Sequence, residues 1–320
     1  MIKEIKTFFN KHKHFLIATH LEPDGDAIGS ELAMALQLKK LSKSVSLINP
    51  EAVPQKYQFL PGWQTIKLTK PTESCTDAAI FLDIGNPKRA SWIFDYVKEN
   101  GLPILNIDHH ISNTRYGDIN YIDCDTSSTC ECIFDIFASL GYKPAREICD
   151  CLATGIITDT GRFSFNNTSE KTFRTCAELA HCGTDFHILT NTIYKRRSLG
   201  WLKLLNSVMS TIKVRNDIAF IRLTKKMLKE TQTSEEESEG FVNYALSLDG
   251  IRAAVFFRER ISGEIRVSLR AKDDTTNVNA VAAQFKGGGH KQAAGFTICA
   301  TPEELEEQII LTFQDTWSNE

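Results

Sequence analysis

The chain has 320 residues, 42% of them hydrophobic and 24% charged, a length that favours two domains, each able to bury its own core. With 37 basic residues against 40 acidic ones and a formal charge of −3, the composition speaks against a long nucleic acid bound along many phosphates and leaves room for a short anionic ligand. No apolar run reaches membrane-spanning length.

From the start, Met1 to Lys13 sets Ile2, Ile5, Phe8 and Phe9 among lysines at helical spacing, without the apolar core or cleavage site of a secretory signal. Nine cysteines, an odd count, then read as reduced thiols, and a cytoplasmic location is expected. Cys130/Cys132 and Cys149/Cys151 lie among Ile133, Phe134, Ile148 and Leu152. Their one-residue spacing suits buried hydrophobes better than structural zinc.

Apolar runs alternate with helical patterns: Phe15 to Thr19, a helix from about Ile28 to Leu41, Val45 to Ile48, Ala78 to Leu82, a helix near Pro87 to Lys98 and a strand at Pro103 to Ile107. Helices follow near Ser128 to Leu140, Ala145 to Ile157 and Ser169 to His181. This alternation predicts an α/β domain over 1–194, with a mostly parallel sheet covered by helices on both faces. Lys195, Arg196 and Arg197 open a helical linker over 195–209, and a smaller α+β domain over 210–320 is expected to carry an antiparallel sheet. One hairpin is read from Ser210 to Val214 and Ile218 to Leu223 about Asn216-Asp217. A second joins Ile251 to Phe257 and Glu264 to Leu269 about Ser262-Gly263, and the last helix opens with a capping box of Thr301 and Glu304. The acidic run Glu235, Glu236, Glu237 and Glu239 reads as a solvated helix start.

Chemistry concentrates at the strand ends of the first domain, where open α/β sheets bind ligands. His20, Asp24 and Asp26 follow the first strand, Asp83 ends the run Ala79-Ile80-Phe81-Leu82, and Asp108-His109-His110 ends Ile104 to Ile107. Asp159 follows a largely apolar helix. Any one of these aspartates alone would be an ordinary cap or turn residue. Several carboxylates on one sheet edge repel one another unless cations neutralise them. A mixed oxygen and imidazole set suits manganese first, with magnesium or cobalt as alternatives. Two such ions about 3.5 to 4 Å apart would activate a water for hydrolysis of a phosphate ester.

These four clusters, in this order and around Asp108-His109-His110, resemble the DHH phosphoesterase superfamily over nearly the whole chain. The resemblance implies one metal on His20 and Asp24, a second on Asp26, His109 and Asp159, and Asp83 bridging both. It also implies a catalytic role for His110 as general acid or phosphate contact, with Asp108 orienting its neighbours. Ser112 and Asn113 match the family pattern, whereas Ile111 stands where proline is common.

In the second domain, Gly287-Gly288-Gly289-His290-Lys291-Gln292-Ala293-Ala294-Gly295 offers backbone amides to an anion, and the Ala-rich stretch is expected to start a helix whose N-terminus favours phosphate. The string resembles the substrate-binding motif of the DHH-associated domain, which implies that His290 contacts phosphate. Arg270 and Lys272, at the end of the strand Glu264 to Leu269, and Arg89, after Asp83, are further candidates to grip a ligand.

Length and glycine motif together resemble the nanoRNase/pAp-phosphatase group. The implied function is hydrolysis of very short RNA to mononucleotides and dephosphorylation of adenosine 3′,5′-bisphosphate, with no membrane partner and a homodimer left open. Two other readings are a pyrophosphatase or exopolyphosphatase and a non-catalytic nucleotide-binding protein.

Overall fold

A computed structural model describes residues 1–71, 76–260, 263–273 and 275–318. It contains two compact units, Met1–Arg196 and Arg197–Glu320.

In the first unit, α1 (Ile2–Lys11) leads into β1 (His14–Ala18), α2 (Gly25–Lys40), β2 (Ser44–Leu47), β3 (Ala78–Leu82), α3 (Trp92–Glu99), β4 (Ile104–Asp108) and β5 (Ile119–Ile122). Helices α4 (Thr129–Ser139), α5 (Arg146–Asp159), α6 (Glu170–His181) and α7 (Phe186–Tyr194) complete it. The five strands are parallel, in the order β2-β1-β3-β4-β5. Alternate residues of the central strands face opposite layers, as the two-residue period of a strand requires. Phe15, Ile17, Ile80, Leu105 and Ile107 join a core with α1, α2, α4 and α5. Leu16, Ala18, Ala79, Phe81 and Ile104 pack instead with Ile93 and Val97 of α3. This parallel sheet with helices on both faces is the architecture expected. Cys130, Cys132, Cys149 and Cys151 are fully buried in the first of these cores.

The second unit comprises α8 (Leu199–Met209), β6 (Lys213–Arg215), β7 (Ile218–Leu223), α9 (Lys225–Thr231), α10 (Phe241–Leu246), β8 (Ala253–Glu259), β9 (Ile265–Ala271), α11 (Val278–Gln284), β10 (Gly288–Gly289), β11 (Ala293–Ile298) and α12 (Pro302–Ser318). Within the stretch read as a linker, α8 buries Trp201, Leu204 and Val208 against β7 and α10 of this unit. Asn216 and Asp217 turn the β6–β7 hairpin at φ values of 50° and 60°, the paired left-handed conformation of a two-residue turn matched to strand twist.

Two expectations need correction. The sheet runs β10-β11-β9-β8-β7-β6, and its β7–β8 pair is parallel, so it is mixed rather than antiparallel. The chain crosses between these two strands through α9 and α10, which a local hairpin signal does not reveal. Ala293–Ile298 is a strand paired with β9, not a helix, because Ala294 and Phe296 alternate into the core against α11 and α12. The β8–β9 pairing is as expected, while Ser262 of its turn lies outside the described residues. Thr301 and Glu304 exchange the capping-box hydrogen bonds at 3.0 and 3.3 Å, and the acidic run forms a short 3-10 turn, Glu235–Ser238.

Candidate metal centre and anion-binding face

The strand order of the first unit reverses direction between β1 and β3, and the chain leaves their carboxyl ends in different directions. Such a switch point leaves a crevice that open α/β sheets use for ligands. Here β1 delivers His20, β3 delivers Asp83, and β4 delivers Asp108, His109 and His110. The loop after β1 and the start of α2 carry Asp24 and Asp26, while Asp159 is the last residue of α5.

The structure brings these side chains into three overlapping groups, His20/Asp24/Asp83, Asp26/His109/Asp159 and Asp83/His109/His110. In each, one candidate ligand atom per residue lies within 4.8 Å of the others. Asp83 belongs to two groups and faces three imidazoles. Its oxygens lie 3.3 Å from His20 Nε2, 3.8 Å from His109 Nε2 and 3.5 Å from His110 Nδ1. Its φ of 61° is left-handed, a cost tolerated at the point where the strand must turn its carboxylate into the crevice. His109 Nε2 is 3.4 Å from Asp159.

A frame of hydrogen bonds fixes this cluster. Asp24 caps α2, with one oxygen accepting from the amides of Asp26 and Ala27 at 3.0 Å each. Asp26 accepts from the Thr129 and Cys130 amides at 2.7 and 2.9 Å, so the positive end of α4 points at its carboxylate. Thr129 Oγ1 donates to Asp83 at 3.0 Å. Asp108 is fully buried and accepts from the amide and Nδ1 of His110 and from Asn113 Nδ2, at 3.3, 2.6 and 2.6 Å. That arrangement fixes the His110 ring through its Nδ1. The Leu21 carbonyl lies 2.7 Å from His20 Nδ1, which orients the ring so that Nε2 faces Asp83. Arg89 stands alongside, with Nη2 3.0 Å from the same ring nitrogen.

Thr129 and the α4 amides escaped the sequence reading. The sequence places a helix start near Ser128, but no residue pattern tells which carboxylate a helix end will face.

Two helices approach at backbone contact to make this possible. A Cβ on Gly155 would stand 2.6 Å from Asp26 Oδ1 and 2.2 Å from Cys130 Sγ, and one on Gly29 would stand 2.5 Å from the Cys151 carbonyl.

The electrostatics show a charge deficit. Burial first, then the neighbouring carboxylates, push the Asp26 and Asp159 carboxyls well above their ordinary range. Burial also acts to raise Asp83, but the His20 hydrogen bond and the three histidines outweigh it and hold Asp83 low. His110 moves the other way: burial opposes its charge, yet Asp108 and the nearby carboxylates raise it to about 10. Buried carboxylates and imidazoles at ligand spacing, with too little positive charge among them, fit divalent cations.

The second unit presents the opposite sign. On β9, Arg266, Ser268 and Arg270 alternate with the buried Val267, Leu269 and Ala271. The register places them beside Arg258, Phe256 and Ala254 of β8 and Thr297, Gly295 and Ala293 of β11. Arg258 donates to Ser268 Oγ at 2.7 Å and lies 3.9 Å from Glu235. Burial, with repulsion from Arg258, lowers Arg270 to about 10, and burial lowers Arg258 and Arg266 as well.

The glycine run forms β10 and the turn into β11, with His290 and Ala293 exchanging amide hydrogen bonds at 2.8 and 3.2 Å. Gly287 and Gly289 are required by packing, since a Cβ would fall 2.3 and 2.4 Å from backbone carbonyls. Gly288 differs: it is exposed, and a Cβ there would meet nothing closer than Asn279 Oδ1 at 3.8 Å. The fold gives no reason for glycine at that position. Lys272 turns away, its Nζ donating to the Leu248 carbonyl at 2.8 Å.

Comparison with known proteins gives a consistent pattern. Residues 14–156 match the DHH family N-terminal domain and residues 218–317 match the DHHA1 domain. A Thermus thermophilus protein named bifunctional oligoribonuclease and PAP phosphatase NrnA is 33% identical over 88% of this chain and 83% of its own. The Bacillus subtilis protein of the same name is 28% identical, with 90% of each chain covered. Among solved structures, an exopolyphosphatase-related protein from Bacteroides fragilis superposes with a TM-score of 0.89 at 30% identity, covering 99% of this chain and 95% of that one.

Proposed function

The chain belongs to the DHH phosphoesterase family, in the form that ends in a DHHA1 domain, and on that premise we propose that it hydrolyses very short RNA oligonucleotides to mononucleotides and dephosphorylates adenosine 3′,5′-bisphosphate. The observation that carries this reading is the convergence of His20, Asp24, Asp26, Asp83, His109 and Asp159 at the β1/β3 switch point. His20 and Asp24 would hold one cation, Asp26, His109 and Asp159 a second, and Asp83 both. Two divalent cations, Mn²⁺ by preference and Mg²⁺ or Co²⁺ as alternatives, would supply Lewis acidity and a water acidified to act near neutral pH.

The remaining work belongs to the protein. His110, held in its protonated form by Asp108, presents Nε2–H as the donor to the phosphate or to the departing ester oxygen. The α4 amides and Thr129 fix Asp26 and Asp83, so the carboxylates need not reorganise during the reaction. In the second unit, Gly288 lets a phosphate oxygen approach the backbone, and His290 and Arg270 supply donors to it. A short substrate agrees with the absence of a basic majority in the composition.

The name of the Bacteroides fragilis protein favours a second reading, a hydrolase of pyrophosphate or polyphosphate. One panel separates the two: adenosine 3′,5′-bisphosphate, RNA of two to about ten nucleotides, pyrophosphate and polyphosphate, each with Mn²⁺. The nucleotide reading expects turnover of the first two, and rapid phosphate release from the last two alone would replace it.

A further inference from the structure

Beyond Asp159 the chain takes a costly path. Gly161, Arg162 and Phe163 have successive φ values of 55°, 62° and 64°, and two of them carry side chains that disfavour this region. The path is firmly held. The amides of Ser164 and Phe165 both donate to the Thr160 carbonyl at 3.0 Å, and the Phe163 amide donates to Thr160 Oγ1 at 3.1 Å. Asn167 Nδ2 links the turn to the site, donating to the carbonyls of Asp159 and Ser127 at 3.1 and 2.9 Å. Arg162 lies over the Tyr194 ring, 4.7 Å from its centroid.

The turn separates two phenylalanines. Phe163 packs on the core of the first unit and against the Phe173 ring, 5.5 Å away. Phe165 is 42% exposed, belongs to none of the hydrophobic cores, and has no aromatic ring stacked on it among the described residues. The tip of its ring abuts Gly161, where a Cβ would stand 2.5 to 2.7 Å from Cζ, Cε2 and Cε1. Glycine at 161 thus serves both the left-handed backbone and the seat of this ring. A strained turn that anchors an aromatic ring by its edge and leaves it in water opposes stability, because burying that surface would be favourable. The ring is six residues from Asp159 and tied to it through Thr160, Gly161 and Asn167.

We propose that Phe165 is a stacking platform for a purine or pyrimidine base of the substrate, and so a specificity-determining residue favouring nucleotides over base-free phosphates. The π-face of a phenyl ring accepts any base, as a substrate class spanning adenosine 3′,5′-bisphosphate and short RNA would require. This inference rests on the nucleotide phosphoesterase reading above and adds the group that would recognise the base.

The test compares full-length, Mn²⁺-loaded wild type with F165A, F165L and F165W. Loss of one base–aromatic stack corresponds to about a 5- to 140-fold change in affinity. A rise of that size in KM for adenosine 3′,5′-bisphosphate is therefore expected in F165A and F165L, with kcat, metal content and Tm near wild type and KM restored in F165W. KM for ribose 3,5-bisphosphate, which lacks the base, should not move. An unchanged KM in F165A, or an equal rise for the base-free compound, overturns the platform. Equilibrium dialysis with AMP separates this outcome from failure of the parent reading. Should the wild type hydrolyse no nucleotide, weaker AMP binding in F165A than in wild type still supports the platform, and equal binding sinks it.

Discussion

At the strand ends of the first unit the buried polar groups are mostly carboxylates, whereas the sheet face of the second carries half-buried guanidinium groups. Burial pushes Asp26 and Asp159 up and Arg258, Arg266 and Arg270 down, so each set is driven toward neutrality by the same desolvation. The construction also differs. The first unit gathers side chains from β1, α2, β3, β4 and α5 and locks them with hydrogen bonds. The second offers few side chains above Gly288 and relies on exposed backbone. In the proposed reading cations would complete the first region and an anion the second, a division of labour that a metal-dependent phosphoesterase could use.

The largest effect that would break this comparison lies at Asp83. Asp83→Ala removes the carboxylate shared by two of the three groups, and hydrolysis should fall by a factor on the order of 10³ or more, with weaker binding of both metals. Metal analysis and activity on the same preparation check it; two full equivalents of metal in the variant would refute the shared role.

Smaller effects are expected in the second unit. Arg270→Ala removes a charge-assisted contact worth about 1.5 to 3 kcal/mol, which predicts roughly a 10- to 100-fold rise in KM for nucleotides with metal content intact. Gly288→Ala should fold normally, since its Cβ has space, yet raise KM by crowding the ligand. Wild-type KM in both variants would remove the anion-binding role from this face.

The smallest effect sharpens the contrast by removing a carboxyl that belongs to neither site. Glu31 is fully buried in α2, where one oxygen accepts from Asn49 Nδ2 at 2.7 Å and the other has no hydrogen-bond partner among the described residues. Burial raises it from 4.5 to about 8. The folded state therefore holds a proton that the unfolded chain releases, and stability falls as pH rises from about 4.5 to 8, at up to about 1.4 kcal/mol per unit. Glu31→Gln should lose this dependence, so its Tm relative to wild type should rise between pH 5 and pH 8.5. A constant difference across that range would show that Glu31 does not titrate there.

Much of this is legible in the sequence. Strand-end positions alone singled out His20, Asp83 and His109, because apolar runs of four or five residues ending in a polar residue mark where a parallel strand emerges. β5 was missed: Ile119–Ile122 is a short edge strand, half-buried throughout, without the apolar run that betrays a central one. Ala293–Ile298 misled because alanine favours helices in isolation, while pairing with β9 decides its conformation here. The frame of Thr129, Asn113 and the α4 amides depends on contacts between residues distant in sequence, and backbone donors carry no signature of residue type.

Gly29 and Gly155 bring α2 and α5 together until backbone meets backbone and sulfur. The spacing between Asp26 at the head of one helix and Asp159 at the tail of the other is then set by hard contacts of the main chain, not by rotamers that a neighbouring substitution can shift. For an engineer, the core of the first unit should accept volume-conserving replacements among its leucines and isoleucines without detuning the catalyst. These two glycines act as the gauge blocks of the assembly, and a single methyl group at either would move the carboxylates apart.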